Sequence, residues 1–456
     1  MIPAPVIAIF DIGRTNKKFF LIDEQYAIVL DRSVQFAEIL DEDGFVCEDV
    51  QQLSHWVQQT ISEMMLLTSF NIKAINFSGY GASFVHIDEK GKPITPLYNY
   101  LKPYPPALQE KFYRSYGSAE KISLETASPE LGSLNSGMQL YKLKQENDLL
   151  FERIQYSLHL PQYLSYLVTG KMYTDITSIG CHTRLWDFSK SSYHHWVYAE
   201  KLDNKFPPLF PSDKSITITV QDNEIEAGIG LHDSSAALIP YLASFSAPFI
   251  LLSTGTWCIS LNPFCKEPLT ALELEQDCLC YLDYHGRRVK AARLFAGNEH
   301  EKQVKILADY FNVDPDCYRQ VVFISSLWKK MNMSKELYPV KTGLHVSAFA
   351  NRDLRMFISF EEAYHQLIYD IIRQQQLSTS LVMGATKVPR IFVDGGFARN
   401  DVYMHMLAAA LPAMEVFSAS VSQATAIGAA LAIHKKWNSK PVPSDIIDLK
   451  LFHPDN

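Results

Sequence analysis

The chain has no excess of positive charge: its 456 residues carry a formal net charge of −8. This balance argues against nucleic acid or an anionic membrane surface as the main partner, although a local site can still bind a nucleotide. The sequence also has no uninterrupted apolar run long enough to cross a membrane. Its one candidate, the uncharged residues 234–265, is broken by Pro240 and Pro248. A helix, a turn and a buried strand are therefore expected there instead.

The cysteines form no recognisable redox or metal motif. Seven of them are spread along the chain, and an odd number of this kind is typical of reduced thiols in a cytoplasmic protein. Cys278 and Cys280 are one residue apart, which matches neither a CxxC pair nor a usual zinc spacing, so they are interpreted as alternate positions of a strand. No signal peptide is expected, because the apolar residues 6–10 form a short run without a preceding basic region.

Two nucleotide-binding signatures are absent as well. No segment matches the G-x-x-x-x-G-K-[ST] pattern, which excludes a Walker-type NTPase. Gly228 and Gly230 form a G-x-G pair, but the third glycine of a dinucleotide-binding fingerprint does not follow.

The pattern of apolar segments predicts an α/β chain with two similar halves. A chain of this length is expected to form two or three domains, and 47% hydrophobic with 20% charged residues is typical of a globular protein. The first half opens with a meander of three strands, whose first hairpin tip carries a glycine. It continues through a helix near residues 50–67, with apolar residues at helical spacing, to a buried strand at residues 74–78 that ends in a glycine loop. Residues 84–87 and the turn at residues 90–93 predict a further hairpin.

The second half opens with a similar hairpin, and a capping box of Ser359 and Glu362 begins a helix with an apolar stripe. A buried strand at residues 390–393 and a glycine loop follow it. Such a repeated unit predicts a cleft between two domains, where ligands usually bind.

The first hairpin tip, residues 11–18, is a candidate phosphate-binding turn. Glycine lets the backbone come close to a phosphate whose oxygens the turn amides can bind, and neighbouring side chains add donors and positive charge. The candidate residues are Gly13, Thr15, Asn16, Lys17 and Lys18. The alternative is a plain hairpin tip with solvated lysines.

The second hairpin tip, residues 253–257, offers the same chemistry through Thr254, Gly255 and Thr256. Its alternative is a buried Ser/Thr turn beside Trp257. Together the two tips are interpreted as cradles for the phosphates of a nucleotide.

Asp233 is the candidate general base. It follows the glycine-bearing residues 228–232 and precedes the long uncharged run, so it is a single carboxylate at the edge of an apolar block. A carboxylate there can accept a proton from an attacking hydroxyl group. The alternative for Asp233 is a helix N-cap, and both roles can hold together. His232 could hydrogen-bond a substrate, although a packing or loop histidine is the more common role.

Four segments in this order make the chain similar to a known family: residues 160–172, 174–177, 232–236 and 253–257. The chain resembles the FGGY carbohydrate kinases of the actin/hexokinase/Hsp70-like superfamily, from about residue 6 to about residue 437. Within that family it most resembles the L-rhamnulose and L-fuculose kinase branch.

The resemblance implies an α/β fold with two ribonuclease H-like (actin-like ATPase) domains. Each would have a mixed central sheet flanked by helices, with a cleft between the two. The domains are expected at residues 1–240 and 241–456. The resemblance also implies ATP and Mg²⁺ as cofactors, with Asp11 near the metal and Lys18 in a place that arginine usually fills.

Residues 394–400 match the adenosine motif of the family. By this resemblance Gly395 and Gly396 let a flat base or ribose approach, and Asn400 donates and accepts hydrogen bonds. A helix over residues 421–430, rich in small residues, continues the motif, with plain tight packing as an equal alternative for its alanines.

Several positions depart from the family pattern, and some of them help to define the sugar site. Gln423 stands where glutamate is common, and residues 96–101 replace a Trp-x-Asp-x-Arg-like element. Ser83 stands where the loop of rhamnulose kinases has an aspartate, so a less acidic pocket is expected, and aromatic rings nearby favour the methyl group of a 6-deoxy sugar. The residues expected to bind the sugar are Gly81, Ala82, Ser83, Phe84, Tyr98, Tyr100, His232 and Asp233.

These observations predict an ATP- and Mg²⁺-dependent kinase that phosphorylates a hydroxyl group of a small sugar, with a (deoxy)ketose such as L-rhamnulose or L-fuculose as the expected substrate. Two alternatives stay open. One is a kinase of the same fold for a pentulose (xylulose or ribulose) or a polyol, and the other is a nucleotide-gated binding or regulatory protein that has lost transfer. The expected partners are the sugar and ATP, without nucleic acid or membrane, and a homodimer is an open alternative for the assembly.

Overall fold

The computed structural model describes residues 3–333 and 347–454, in which strands and helices alternate as predicted for an α/β protein. The strands are β1 (Ala4–Ile12), β2 (Lys17–Asp23), β3 (Ile28–Val34), β4 (Ile39–Leu40), β5 (Val46–Cys47), β6 (Phe70–Gly79), β7 (Phe84–Ile87), β8 (Tyr156–His159), β9 (Trp186–Asp187), β10 (Ser192–Tyr193), β11 (Ile216–Val220), β12 (Asn223–Ala227), β13 (Leu231–His232), β14 (Phe249–Thr254), β15 (Cys258–Asn262), β16 (Cys278–Leu282), β17 (Arg288–Leu294), β18 (Arg390–Gly395), β19 (Glu415–Ser420) and β20 (Asp448–Phe452).

The α-helices are α1 (Val50–Met65), α2 (Pro106–Tyr116), α3 (Ala119–Glu125), α4 (Ser136–Glu146), α5 (Asp148–Arg153), α6 (Leu160–Thr169), α7 (Ile176–Ile179), α8 (His195–Ala199), α9 (Asp233–Ser244), α10 (Ala271–Glu275), α11 (Ala296–Phe311), α12 (Ser325–Met333), α13 (Phe360–Ser380), α14 (Asp401–Ala410), α15 (Ala424–Ala432) and α16 (His434–Trp437). None of the helices in the described ranges is both long and apolar enough to cross a membrane.

Two compact units divide the chain. The first contains the residues up to Phe245, Cys280–Arg287 and Ser422–Ile446, and the second contains Ser246–Leu279, Arg288–Val421 and the residues from Ile447 onward. The division therefore differs from a single boundary at residue 240, because α15 and α16 pack with the first unit although they follow the second unit in the sequence.

The first unit is built on a seven-stranded sheet of described strands in the order β11-β12-β6-β1-β2-β3, with β13 also paired to β6. β1 runs antiparallel to β2 and parallel to β6, so the predicted meander of three strands at the start of the chain is confirmed. The strands β1, β2 and β6 are almost fully buried and form the core with α1 and α6. The carboxyl-terminal ends of β1 and β6, at Ile12 and Gly79, lead into the predicted functional loops.

The second unit has its own seven-stranded sheet in the order β16-β17-β15-β14-β18-β19-β20, counted over the described residues. The predicted hairpin of β14 and β15 is present, and β14 also pairs in parallel with β18. This pairing sets the turn after Thr254 next to the glycine loop after Asp394. The predicted helix α13 begins after Ser359, whose hydroxyl accepts from the Glu362 N–H as expected for its capping signal.

The pairing of β7 differs from the sequence-based expectation. The turn near residues 90–93 predicted a local hairpin, but β7 pairs antiparallel with β8, and only Ile87 forms a bridge to Pro93. β7 pairs with the distant β8 because β8 is buried against the same core. A local turn signal contains no information on such a tertiary contact.

Helices α9 and α15 approach each other closely within the first unit. An added Cβ on Gly428 would overlap the carbonyl oxygen of Ala236. Asn76, at 0% exposure, joins β6 to α15 by donating to the Ala429 carbonyl at 2.8 Å. The small residues of α15 thus serve to bring two helices together.

Gly428→Ala should lower the free energy of unfolding by about 2–3 kcal/mol, because the new methyl group forces α15 away from α9. Gly44→Ala is the control: it adds the same group where no atom lies within 4 Å, at a φ of +79°, so only backbone strain of about 1 kcal/mol is expected. Thermal unfolding of both variants and of the wild type measures the difference. Equal losses in the two variants would contradict this packing.

Candidate active site

Asp233 lies at the junction of a short strand and a helix in the first unit. β13 pairs in parallel with the end of β6, and α9 begins directly after it. Gly230 makes this junction possible, because a side chain at its φ of +85° would clash with the backbone of Pro161. The N–H of His232 donates to the Thr177 hydroxyl at 2.9 Å, which fixes the direction in which the chain enters α9.

The surroundings of Asp233 favour the protonated form of its carboxylate more than water does. Burial raises its pKa to about 6, and the Ser234 N–H, which donates to it at 2.6 Å, opposes this shift only in part. The side chain keeps 35% of its surface exposed, so a substrate hydroxyl can reach the carboxylate. With this pKa it is ionised near neutral pH and is a stronger base than an ordinary aspartate.

The structure changes the helix-cap interpretation of Asp233. His232 precedes the helix, and Asp233 is its first helical residue. The carboxylate therefore accepts from its neighbour Ser234, and not from the N–H groups that a capping side chain satisfies.

Asp11 brings a second carboxylate to the same region of the first unit. Burial raises its pKa and nearby Asp233 adds to this, while the Thr425 hydroxyl, which donates at 2.7 Å, and the Lys18 ammonium oppose it. Two neighbouring carboxylates with raised pKa values fit a divalent cation, because a cation with oxygen ligands offsets their repulsion and desolvation. Asp11 thus fits the predicted magnesium site.

The two lysines of the first hairpin have different surroundings. Lys17 is 2% exposed, pairs with Glu48 at 2.5 Å and donates to the Arg14 carbonyl at 2.6 Å. Its ammonium is used inside the unit, so the structure does not support Lys17 as a phosphate ligand. Lys18 instead donates to the side-chain oxygen of Gln423 at 3.1 Å, and Gln423 has a left-handed backbone, with φ +50°, just before α15.

The tip of the first hairpin is closed by its own backbone. The N–H of Gly13 donates to the Asn16 carbonyl at 3.0 Å. Thr15 and Asn16 are exposed, and the Asn16 side chain accepts from Gln35 at 2.7 Å. Gly13, Thr15 and Asn16 therefore stay candidates for phosphate binding.

The second hairpin tip shows which of its predicted residues face solvent. Gly255 and Thr256 are exposed, as a phosphate-binding turn requires. Thr254 is buried, and its hydroxyl donates to the Asp394 carbonyl at 2.6 Å and accepts from the Phe397 N–H at 3.0 Å. The Thr254 side chain thus joins β14 to the loop after β18, and the structure does not support it as a phosphate ligand.

The glycine pair after β18 lies against this hairpin. At Gly395, with φ +93°, an added Cβ would overlap the Thr254 carbonyl, whereas at Gly396 the nearest atom would be 3.9 Å away. Gly395 is therefore required by the backbone, and Gly396 faces open space.

A cavity of about 630 Å³ opens beside Gly396 in the second unit. Four predicted nucleotide-binding residues line it: Gly255, Thr256, Gly396 and Asn400. Other lining residues carried no sequence signal for a nucleotide site, among them Gly297, His300, Lys305, Tyr318 and Arg319. Lys305 and Arg319 pair with Glu301 and Asp316, which line the same cavity, at 2.7 and 2.9 Å. The volume and the aromatic ring of Tyr318 suit a nucleotide.

Gly297 and Asn400 form parts of the cavity wall. An added Cβ on Gly297 would overlap the Gly255 carbonyl, so α11 begins in contact with the hairpin; a lone glycine was the only sequence signal for this. Asn400 caps α14 by accepting from the Tyr403 N–H at 3.0 Å, and its amide donates to the Tyr364 hydroxyl at 2.6 Å. Its side chain is engaged within the unit and does not offer a free amide to adenosine.

The predicted sugar-binding loop reaches the site at Gly81. A side chain there would overlap the ring of His232. Ala82 has a left-handed backbone, with φ +64°, and its carbonyl accepts from Gln139 at 2.6 Å. The loop is therefore held close to His232 by its backbone.

Phe84 does not line a pocket. Its side chain is 1% exposed, and its ring centroid lies 4.2 Å from that of His159. Because β7 points Phe84 into the interior, the structure does not support it as a substrate residue.

Tyr98 and Tyr100 are partly exposed, whereas Ser83 is buried. The Ser83 hydroxyl donates to the Tyr98 carbonyl at 3.2 Å. Tyr98 donates to Glu42 at 2.6 Å and lines a cavity of about 180 Å³. Tyr100 packs beneath the Arg14 guanidinium, 5.4 Å from its ring centroid.

Two rings near His232 were missed by the sequence analysis. The ring centroids of His182 and Tyr281 lie 6.2 and 6.3 Å from that of His232. His232 is 4% exposed, and burial lowers its pKa to about 4, so its ring is neutral at neutral pH. His182 follows the 174–177 segment closely, but no spacing rule marks Tyr281.

Comparison with protein families identifies the family of this chain. Residues 6–239 match the FGGY family of carbohydrate kinases, N-terminal domain, and residues 246–441 match the C-terminal domain of carbohydrate kinase FGGY. The chain belongs to the FGGY family of carbohydrate kinases, and the resemblance seen in the sequence is confirmed.

Curated relatives match with low identity. A rhamnulokinase of Oceanobacillus iheyensis is 24% identical over 238 residues, or 49% of this chain and 48% of that protein, so the chain matches about half the length of this relative. A rhamnulokinase of Bacteroides thetaiotaomicron is 23% identical over 85% of this chain and 82% of its own length. An L-fuculokinase of Escherichia coli is 25% identical over 61% of each chain.

Solved structures confirm the predicted fold class. A carbohydrate kinase from Novosphingobium aromaticivorans has a TM-score of 0.80 at 22% identity, over 100% of this chain and 95% of its own. A ligand-bound xylulose kinase from Lactobacillus acidophilus has a TM-score of 0.77 at 17% identity, over 99% and 94%.

Gly396→Val should weaken ATP binding by about tenfold, equivalent to ~1.4 kcal/mol, without changing the unfolding temperature, because its side chain enters the cavity. Gly395→Val should lower the unfolding temperature as well, because its side chain meets the Thr254 carbonyl. Titration calorimetry with ATP and thermal unfolding separate the two effects. Wild-type ATP affinity in Gly396→Val would exclude this cavity as the nucleotide site.

Proposed function

We propose that the protein transfers the γ-phosphoryl group of ATP to a hydroxyl group of a small sugar, with Asp233 as general base. The observation that carries the proposal is the Asp233 carboxylate at the start of α9, with a pKa raised to about 6 and Asp11 as a neighbour. Membership in a family of carbohydrate kinases supports the reaction class. The 630 Å³ cavity beside Gly396 supports a nucleotide in the second unit.

The proposed reaction needs a base, a metal site and phosphate contacts. Asp233 accepts the proton of the sugar hydroxyl as its oxygen forms a bond to the γ-phosphorus, and the bond to the ADP oxygen breaks. When bound, Mg²⁺ neutralises the triphosphate, and Asp11 with the Thr425 hydroxyl would hold it. The Gly13 turn and Lys18 would contact phosphate oxygens.

We propose a (deoxy)ketose, such as L-rhamnulose or L-fuculose, as the sugar. The names of the curated relatives support this choice. Ser83 offers the sugar no carboxylate, and its hydroxyl is bound to the Tyr98 carbonyl. The neutral ring of His232 is the polar group next to the base, and it suits a substrate that needs few charged contacts.

The proposed location is the cytoplasm. No disulfide joins any of the seven cysteines, all of which fall within the described residues. Reduced thiols are typical of that compartment.

Asp233→Asn should lower turnover by roughly 10²–10⁴-fold, because an amide keeps the shape of the side chain but cannot accept the proton. ATP affinity should stay within a few-fold of wild type, since Asp233 is not part of the nucleotide cavity. The measurement is ADP release with a good sugar substrate. Asp88→Asn, in the exposed turn after β7, is the matched control and should keep full turnover. Near-wild-type turnover in Asp233→Asn would remove it from the mechanism.

L-Rhamnulose and L-fuculose should be preferred over fructose, sorbose and tagatose by roughly tenfold to two-hundredfold in kcat/KM, since a methyl-for-hydroxymethyl choice is worth only ~1–3 kcal/mol. A panel of these sugars with xylulose, ribulose and polyols, assayed for ADP release, measures the preference. Better use of xylulose would establish the pentulose alternative. ATP binding without ADP release from any sugar would favour the regulatory alternative, against which the retained Asp11 and Asp233 argue.

A further inference from the structure

The first unit holds a cluster of three metal-ligand side chains beside the base. One ligand atom from each of Cys181, His182 and His232 lies within 4.8 Å of the other two. The cluster adjoins Asp233, whose Oδ1 is 3.5 Å from Nε2 of His232. Magnesium prefers oxygen ligands. The sulfur and nitrogen atoms of this cluster are therefore not ligands of the candidate magnesium site at Asp11.

His182 is held in place by the backbone around it. Its φ of +40° lies in the left-handed region, which costs ~1–3 kcal/mol for a residue other than glycine. Its carbonyl accepts from the Asn135 amide at 2.8 Å, and its Nδ1 lies 3.3 Å from the Leu134 carbonyl. With Nδ1–H donating to that carbonyl, Nε2 carries the lone pair that a metal ion needs, as is typical of ligating histidines.

Cys181 belongs to the same fixed loop. The Gly137 N–H donates to the Thr183 carbonyl at 3.0 Å, and Asn135, which binds the loop, is fully buried. The Cys181 thiol is 1% exposed. Hydrogen bonds within the protein therefore hold the loop, and with it the Cys181 sulfur and the His182 ring, in fixed positions.

His232 supplies an independent sign of an unfilled interaction. It is 4% exposed, and its Nδ1 has no hydrogen-bond partner among the described residues. A buried polar atom without a partner is costly and calls for a water, an ion or a ligand.

From these contacts we propose that Cys181, His182 and His232 bind a Zn²⁺-class divalent cation, which blocks Asp233 when bound. One thiolate and two imidazoles suit zinc and leave a fourth tetrahedral position for water. Binding releases the thiol proton to solvent. The blocking effect rests on the proposed kinase function, whereas the binding does not.

The geometry requires a contraction. Zinc bonds of ~2.0–2.3 Å place tetrahedral ligand atoms about 3.3–3.8 Å apart. Ligand atoms that now lie within 4.8 Å of one another must therefore close by up to about 1.5 Å. Half-buried His182 and partly exposed Asp233 leave an edge through which an ion can enter.

Titration of the metal-free, full-length protein with Co²⁺ tests the site without any substrate. One Co²⁺ per chain is expected, with thiolate-to-cobalt charge-transfer absorption and the strong visible bands of a tetrahedral ion, and Zn²⁺ should remove both. Absence of the charge-transfer absorption would overturn the proposal. Cobalt bands from nitrogen and oxygen ligands alone would also overturn it, and would point instead to the cluster of Glu125, His194 and His195.

Two variants and a control locate the ion. Cys181→Ser should abolish the charge-transfer absorption and weaken Co²⁺ binding by at least about tenfold. Cys317→Ser removes a half-buried thiol of the second unit and should keep both the charge-transfer absorption and the Co²⁺ affinity. His182→Gln, which leaves the thiol in place, should also weaken binding by at least about tenfold, so the test survives if Cys181→Ser does not fold. Charge-transfer absorption that persists in a folded Cys181→Ser variant would overturn the assignment.

The blocking effect is tested by kinetics with Zn²⁺. Inhibition should compete with the sugar and not with ATP, a chelator should reverse it, and Cys181→Ser should raise the half-inhibiting Zn²⁺ concentration at least about tenfold. Inhibition unchanged by Cys181→Ser would overturn the blocking role. A wild-type protein without sugar-dependent ADP release in the absence of zinc would contradict the proposed function, and the Co²⁺ titration would still decide the binding site.

Discussion

The close approach of α9 and α15 is the constraint on which the candidate site depends. It requires Gly428, because any side chain there would meet the Ala236 carbonyl. α9 begins with Asp233, and α15 carries Thr425 in its first turn, where the hydroxyl binds Asp11. One helix pair thus determines where the base and the candidate metal ligand lie. A site built on packed helices and strand ends holds its groups more exactly in place than a site built on loops alone.

Local signals allowed much of the fold to be predicted from the sequence. Apolar spacing predicted α1 and α13, and glycines at strand ends located both hairpins, because each of these signals is contained in a few consecutive residues. The surroundings of Lys17, Phe84 and Thr254 could not be predicted in this way. Lys17 is buried in an ion pair with Glu48. The Thr254 hydroxyl donates to the Asp394 carbonyl of β18, a strand that follows far along the chain. Such roles depend on tertiary contacts, which no local pattern encodes.

Two unfavourable local features lie near the base. His182 has a left-handed backbone, and the buried Nδ1 of His232 has no partner among the described residues. Each costs stability, and such costs persist at sites where function requires a fixed geometry. Gly230 also has a left-handed backbone, which glycine adopts without strain. In the second unit two glycines shape the candidate nucleotide cavity. Gly395 permits the contact between two strand ends, and Gly396 leaves the cavity open.

Phosphorus NMR of the protein with ATP, Mg²⁺ and L-rhamnulose or L-fuculose shows whether phosphate is transferred from ATP to a sugar hydroxyl. We expect a sugar phosphate ester that forms in equal amount to ADP and is absent without the sugar. ADP accompanied only by inorganic phosphate, or no ADP with any sugar of the panel, would contradict this expectation.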